Sequence, residues 1–352
     1  MRTNTKVIHV GGVPVGGHHP IVIESMTNTD TRDVAATVAQ IHALTNAGCE
    51  IVRVAVPCDD SAAALHKIKQ QITIPLIADI HFDYRLAILA AENGADKLRI
   101  NPGNIGEKNR VRQVVEAAKA AGVPIRVGVN GGSLEKEILD KYGGVTPVGL
   151  AESAIGHVRL LESFGFDNIV VSAKASSVPL LVETNRILAR ELDYPLHIGL
   201  TEAGTQYRGA IRSAVGLGVL LEQGIGSTIR VSLSGDPVPE ILAVKEILAA
   251  LNLRQFGVKV IACPTCARAD IDISGIAERV ESRLAHVQKP LAIAVMGCAV
   301  NGPGEARDAD IGIAGGVGGA VLFEKGKIIR RVAEDELEDV LVNAVLCHCK
   351  AI

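Results

Sequence analysis

Short apolar runs recur along the first two thirds of the chain, separated by stretches whose apolar positions repeat with helical spacing. Val7 to Val10 and Val13 to Val15, joined by Gly11-Gly12, predict a hairpin. A repeated strand–helix phrase follows. Its strands are Pro20 to Glu24, Cys49 to Val56, Leu76 to Ile80, Lys97 to Ile100, Pro124 to Val129, Asn168 to Val171, Leu196 to Leu200 and Thr228 to Val231. Helical periodicity fills the gaps, as at Asp33 to Ala47, Ser61 to Gln70, Tyr84 to Asn93, Val111 to Ala121 and Val178 to Glu191. Strands apolar throughout are buried on both faces, which parallel pairing through crossover helices provides. The pattern predicts an α/β fold, a closed (β/α)8 TIM-type barrel over residues 1–254, near the usual length of roughly 250 residues. An open doubly wound sheet is the alternative, but the Gly-rich fingerprint that usually follows its first strand is absent from the sequence.

Past Gly235-Asp236-Pro237 a helix from about Pro239 to Leu251 ends this phrase. Residues 255–352 then read as a smaller α+β domain. A strand begins at Val258, followed by a cysteine pair, a helix at Ser274 to His286 and a strand ending at Val295. After a third cysteine come a strand at Asp310 to Ala314, a hairpin across Glu324 to Lys327 and a helix from about Glu334 to Leu346.

Composition narrows the function classes. Hydrophobic content is 48% with no Trp and 3% aromatics, so a large core is built from Ala, Val, Ile and Leu; net charge is −3, which gives no pull toward nucleic acid or anionic membrane. The N-terminal residues are polar, and no apolar run approaches the roughly 18 residues of a membrane span. Seven cysteines without a signal peptide point to reduced thiols in the cytoplasm. The ending Cys349-Lys350-Ala351-Ile352 is not a prenylation box, because Lys350 stands where an aliphatic residue belongs.

Polar residues break into or close seven of the expected strands: Arg53, Asp79 with His81, Arg99 with Asn101, Arg126 with Asn130, Ser172 with Lys174, Glu202, and Arg230 with Ser232. In a barrel the C-terminal strand ends form one rim, where catalytic groups sit. Each Arg taken alone is as well read as an ordinary ion-pair partner. Together with Lys174 they describe a pocket that needs an anion, since unpaired buried charges repel and lose hydration. Arg forks and a Lys point charge suit a small phosphorylated molecule. Asp79, His81 and Glu202 are candidates for proton transfer, Asp79 equally for pairing with an Arg.

The second domain carries Cys263-Pro264-Thr265-Cys266 and, later, Cys298 in Met296-Gly297-Cys298-Ala299-Val300-Asn301-Gly302-Pro303-Gly304-Glu305. Two thiolates at this spacing can ligate one centre, and a third arrives after an apolar strand. Glu305 is the candidate fourth ligand, a harder and weaker one for iron that can yield to substrate oxygen. Spacing alone leaves an iron–sulfur cluster, a zinc site and simple buried thiols all open. His18-His19 reads as a solvated loop, Cys49 as core and Cys347-His348-Cys349 as a frayed tail.

With these motifs in hand, the chain resembles the 4-hydroxy-3-methylbut-2-enyl diphosphate synthases of the non-mevalonate isoprenoid pathway over essentially its whole length. Cys263 to Cys266 and Met296 to Ala306 are the most specific parts, supported by Asp96 to Asn104, Arg126 to Ser133 and Gly199 to Gly204. The resemblance implies a [4Fe–4S] cluster on Cys263, Cys266, Cys298 and Glu305. It also implies a barrel that binds 2-C-methyl-D-erythritol 2,4-cyclodiphosphate through Arg53, Arg99, Arg126, Asn130, Lys174, Glu202, Arg230 and Ser232, with His81 nearby. Electrons would come from a flavodoxin or ferredoxin, and a homodimer would share each site between subunits. Ala267 departs from the family's usual Gly, and the Cys-His-Cys tail is outside its pattern. The short link between barrel and cysteines fits the two-domain bacterial form. A zinc-ribbon interaction module on a pterin-type barrel is the competing reading, separable by a visible spectrum.

Overall fold

The computed structural model describes residues 4–267, 269–298, 306, 309–316 and 318–350, except for the side chain of Lys350. The chain divides into two compact units, Met1–Arg254 and Gln255–Ile352.

The first unit opens with an antiparallel hairpin, β1 (Val7–Val10) and β2 (Val13–Gly16). Eight parallel strands follow: β3 (Val22–Met26), β4 (Ile51–Ala55), β5 (Leu76–Asp79), β6 (Lys97–Ile100), β7 (Ile125–Asn130), β8 (Ile169–Lys174), β9 (His197–Ile198) and β10 (Thr228–Ile229). Their order is β8-β7-β6-β5-β4-β3-β10-β9. A parallel bridge between Val171 and Leu196 joins β8 to β9 and closes the circuit. The expected barrel is thus the observed one. The hairpin lies on its N-terminal end, where Val10 and Val15 form one buried cluster with Val22, Ile51 and Ile77. That plug leaves only the C-terminal strand ends open.

Helices connect successive strands with ordinary end signals. Asp33 caps the helix Val34–Ala47 by accepting from Ala36 N, and Gly48 ends it at φ 108°, a left-handed value that favours glycine. The link between β7 and the helix Pro147–Ser163 holds an additional short helix, Lys136–Tyr142.

The second unit holds one five-stranded sheet: β11 (Val258–Ala262), β12 (Leu291–Met296), β13 (Ile311–Gly316), β14 (Gly319–Glu324) and β15 (Lys327–Val332), in that order. The first three strands are parallel and the last three antiparallel. Ile276, Val280 and Leu284 of the helix Ile273–Leu284 and Leu341, Val342 and Val345 of the helix Leu337–Lys350 bury Ile293, Val295, Ile311 and Ile313. The Cys347-His348-Cys349 tail, expected to fray, is instead the last turn of the Leu337–Lys350 helix. Two contacts hold it: Lys289 Nζ donates to the His348 carbonyl at 2.9 Å, and Cys349 packs on the core. No helix among the described residues is long and apolar enough to cross a membrane.

Candidate active site

In a strand alternate residues face one way, so an apolar barrel strand can carry a charge to the interior without exposing it outside. This barrel does so repeatedly, in two tiers. Glu24, Lys97, His197 and Thr228 form the deeper tier, each two residues before an outer-tier position on its own strand. Arg126 reaches down to it: Nη1 donates to both Glu24 oxygens, at 2.6 and 2.7 Å. Lys97 Nζ meets the same carboxylate at 3.3 Å, and His197 Nδ1 lies 3.7 Å from it and 2.7 Å from Thr228 Oγ1. Burial alone would push the Glu24 carboxyl up, but Arg126 foremost, with Lys97 beside it, outweighs that and holds Glu24 well below the carboxylate range. His197 is driven well below its usual value by burial, reinforced by Arg126, Lys174 and Arg53, so its imidazole is neutral.

The outer tier is the mouth. Asp79 pairs with Arg99 Nη1 at 3.1 Å and faces Arg53 Nη1 and His81 Nε2, each at 3.7 Å. Burial raises its carboxyl, yet Arg53 and Arg99 outweigh that and keep it below the ordinary range. Asp79 is therefore a fixed anion that aims two guanidiniums. Arg99 lies across β7 only because residue 128 is glycine; a Cβ there would run into its guanidinium. With its amide turned so that both atoms are satisfied, Asn130 accepts from Arg99 Nη2 at 3.2 Å. Arg230 is aimed by Glu240 of the helix Val238–Ala250, through bonds of 3.1 and 3.3 Å; Ser25 Oγ and Leu233 N also donate to this carboxylate.

Lys174 differs from all of these. It is buried at the end of β8, and among the described residues no carboxylate lies within ion-pair reach of it. Burial, then Arg53, Arg230 and Arg126, push its ammonium well below the usual lysine value. Arg53 Nε and Arg126 Nη2 are likewise buried without a partner among the described residues. Among the described residues, Arg53, Lys97, Arg99, Arg126, Lys174 and Arg230 thus share the interior with three carboxylates, Glu24, Asp79 and Glu240. The cation excess lies at the open end. Such an arrangement binds an anion of more than one charge.

Glu202 and His81 are exposed on loops after β9 and β5, and Ser232 is half-buried just past β10. Glu202 has φ 55°, a left-handed conformation costly for a residue with a Cβ. The loop is held there by Thr201 N donating to Ala175 O at 3.1 Å, Ser234 N to Gly204 O at 3.1 Å, and Arg212 Nη1 to Ala203 O at 3.2 Å.

The sequence reading missed Glu24, Lys97, His197 and Glu240. The first three carry the signal used for the rim, a polar residue inside an apolar strand. Lys97 and His197 escaped because they sit at strand starts, away from the C-terminal ends, whereas Glu24 closed its expected strand and was passed over there; the observed strand runs on to Met26. Glu240 lies in the first turn of a helix, where an acid is unremarkable.

In the second unit Cys263 follows β11, and Cys298 lies two residues past the end of the neighbouring parallel strand β12. Cys263 N donates to Val295 O at 3.2 Å, and Cys263 Sγ accepts from Gly297 N at 3.2 Å. The loop bearing Cys266 returns to the same point, since Asp270 N donates to Gly297 O at 2.9 Å. Gly297 can be nothing larger: a Cβ would meet Ile273 and Ala269. Cys263 and Cys298 therefore lie past the C-terminal ends of two adjacent parallel strands, and Cys266 is on the loop that follows β11. No group of three His, Cys, Asp or Glu side chains among the described residues is close enough to hold a metal ion. Glu305 lies outside the described residues. The donor set itself suits iron and sulfide, being thiolate-rich with a backbone N–H already directed at one sulfur.

Residues 5–245 match the GcpE TIM-barrel domain, and residues 259–346 match the GcpE protein C-terminal domain. The 4-hydroxy-3-methylbut-2-en-1-yl diphosphate synthase (flavodoxin) of Caldanaerobacter subterraneus is 57% identical over 345 residues, covering 98% of this chain and 97% of the relative. The protein of the same name from Geobacter sulfurreducens is 58% identical over 345 residues, covering 98% of each. Among solved structures, a Yersinia pestis dihydropteroate synthase in complex with a sulfonamide drug aligns with TM-score 0.51 at 13% identity, over 71% of this chain and 100% of that one. That last likeness concerns the barrel fold alone. Whole-length identity to the synthases, with both characteristic domains in order, places the chain in the GcpE family, the 4-hydroxy-3-methylbut-2-en-1-yl diphosphate synthases.

Proposed function

We propose that the outer tier of the barrel binds the cyclic diphosphate, and that Cys263, Cys266, Cys298 and Glu305 hold a [4Fe–4S] cluster. The working form would be a cytoplasmic homodimer with each site shared between subunits and electrons delivered by a flavodoxin. The observation that carries the reading is Lys174, buried at the end of β8 with no carboxylate within ion-pair reach among the described residues, in the same mouth as the buried, unpartnered Arg53 Nε. The reaction is the reductive ring opening and dehydration of 2-C-methyl-D-erythritol 2,4-cyclodiphosphate to 4-hydroxy-3-methylbut-2-enyl diphosphate, a step of the non-mevalonate isoprenoid pathway. One ring C–O bond breaks, two electrons and two protons enter, and one water leaves. The cluster, when bound, supplies the electrons one at a time.

The chain's own groups do the rest. Lys174, Arg53 and Arg230 grip the phosphates and stabilise the charge released as the ring opens. Asp79, Glu24 and Glu240 hold Arg53 and Arg99, Arg126, and Arg230 at fixed angles, so little reorganisation is needed. Asn130 and Ser232 offer neutral hydrogen bonds to substrate oxygens. Glu202 and His81, exposed at the mouth, hold and pass protons.

Complementation tests the reading. Lys174→Met weakens the anion site and should keep at most about one thirtieth of wild-type kcat/KM, and Cys298→Ala is expected to lose its iron, sulfide and brown colour and to be inactive. Co-expressed, mixed dimers with a shared site regain one intact site each, and random pairing restores roughly a quarter of wild-type sites. Full iron and sulfide in Cys298→Ala would overturn the ligand set. No recovery in verified mixed dimers would overturn the shared site.

A further inference from the structure

The rim loops after β6 and β7 are joined to each other, and to the helix Pro147–Ser163, by a chain of polar side chains. Asn101 Oδ1 accepts from Gly103 N at 3.0 Å, and Asn101 Nδ2 donates to Ser133 Oγ at 3.0 Å. Ser133 Oγ in turn donates to the Asn130 carbonyl at 3.3 Å. Two residues further on, Glu135 ties the loop to the helix. Ser153 Oγ donates to Glu135 Oε2 at 2.7 Å, and His157 Nε2 lies 2.7 Å from Glu135 Oε1. Burial would raise the Glu135 carboxyl, but His157, then Ser153, outweigh it and bring it down to about 2. Glu135 is therefore a fixed anion. Gly103 packs directly on this pair: a Cβ there would lie 3.1 Å from Glu135 Oε1 and 3.3 Å from His157 Nε2.

What this chain holds in place is the end of β7. Asn130 is the last residue of that strand, in register with Lys174 on β8 and bonded to Arg99. The ladder stops there, and the next two residues are Gly131-Gly132, whose torsions carry little restraint of their own. An amide that is to meet a phosphate oxygen must be placed to within about 0.5 Å. The turn Gly131–Ser133 therefore needs holding from outside, and it is held twice, by Asn101 at Ser133 and by Glu135 just beyond it. The far end of the short helix Lys136–Tyr142 has a clamp of the same make. Lys141 Nζ donates to both oxygens of Glu152 at 2.7 and 2.8 Å, and Tyr142 Oη donates to Glu152 as well. That clamp has no bond to Ser133 or Asn130, so it serves as the natural control.

We propose that Glu135 is a positioning residue for substrate binding: gripped by Ser153 and His157, it fixes the Gly131–Ser133 turn and so aims the Asn130 amide at a phosphate oxygen. The inference rests on the reading above that Asn130 meets the substrate. Glu135 itself acts only through Asn130, which makes its contribution vanish when Asn130 is removed.

The test is a double-mutant cycle on the holoenzyme, reading the Kd of the cyclic diphosphate by anaerobic calorimetry and turnover by steady-state kinetics. Asn130→Ala loses a hydrogen bond to a charged group and should raise Kd ~10- to 100-fold. Glu135→Ala, which lets that contact drift, should raise it ~5- to 50-fold and no more than Asn130→Ala does. Added to Asn130→Ala, it should cost less than about twofold more. The loss should fall on KM with kcat within about twofold, because a phosphate contact serves substrate and transition state alike. A merely structural lesion would lower the active fraction, and with it kcat, at unchanged KM. His157→Gln keeps an N–H for Glu135 and should recover most of the binding lost in His157→Ala, which carries the test if Glu135→Ala fails to fold. Glu152→Ala should bind as wild type does. Normal binding by Asn130→Ala would overturn both the role of Asn130 and this inference. Weak binding by Asn130→Ala with normal binding by Glu135→Ala and His157→Ala overturns the inference alone, as do penalties that add in full in the double variant.

Discussion

The two tiers of the barrel are made from the same residue types, yet they solve opposite problems. In the deeper tier Glu24 answers Arg126 and Lys97 within the chain, and a neutral His197 completes the layer. In the outer tier Lys174, Arg53 and Arg230 outnumber the carboxylates that face them. A buried charge is part of the scaffold when its counter-charge is in the chain. It is part of a site when the counter-charge must arrive with a ligand. Arg126 stands on that line, with Nη1 already paired with Glu24. Its unpartnered Nη2 is the one atom it offers to the mouth.

The sharpest way to break this contrast is Glu24→Gln. It leaves Arg126 and Lys97 buried without their anion, which should cost about 3–5 kcal/mol of unfolding free energy. The loss should show in urea titrations followed by circular dichroism, with or without substrate. The pH dependence follows from the depressed carboxyl. Glu24 is ionised in the folded chain well below its ordinary value of 4.5, so its stabilising effect is fully present above that value. It is lost as pH falls from there through the lower, native value. Wild type should therefore lose stability more steeply than Glu24→Gln below about pH 4.5. Parallel curves for the two proteins would show that Glu24 is not the anion of the deeper tier.

Lys174→Met should do the reverse. Removing a buried ammonium that has no carboxylate beside it relieves desolvation and should stabilise the chain by about 0.5–2 kcal/mol. Substrate then loses a charge-assisted contact of about 2–4 kcal/mol, a fall in kcat/KM of roughly 30- to 1,000-fold. A higher Tm with a weaker Kd for the cyclic diphosphate is the signature to look for. If Lys174→Met destabilises as Glu24→Gln does, the two tiers are not different in kind.

Much of this was legible before any coordinates. An apolar strand that ends in Arg or Lys can be read because the interruption is conspicuous, and a parallel barrel puts all such ends on one rim. Pairing could not be read, because Glu24 and Arg126 are 102 residues apart and meet only through strand order. Strand lengths shifted for the same reason. Asn168 to Val171 was expected, but the ladder with β7 extends β8 to Lys174 and brings Ser172 and Lys174 inside. Leu196 to Leu200 shortened to His197–Ile198, because β9 lies at the seam where β8 contributes a single bridge. The short helix Lys136–Tyr142 stayed hidden between Gly131-Gly132 and Gly143-Gly144, which read as loop. The cysteines were legible as spacing, and Gly297 explains why the third thiol follows a glycine.

The smallest effect expected is at Glu202, and it asks whether strain can mark a site as unpaired charge does. At φ 55° a Cβ costs about 1–2 kcal/mol, which glycine escapes. Glu202→Ala removes the carboxylate and keeps the Cβ, so the backbone strain persists. Glu202→Gly removes both. The glycine variant should therefore be the more stable of the two by about 1 kcal/mol, after its greater unfolded-state entropy is counted. If the carboxylate holds a proton during turnover, both variants should lose activity to a similar degree, mainly in kcat, with the substrate Kd little changed. If Glu202→Gly loses much more activity than Glu202→Ala, the loop's rigid backbone matters more than its carboxylate. Equal stability of the two would mean that the loop relaxes around residue 202 and that no strain is stored there.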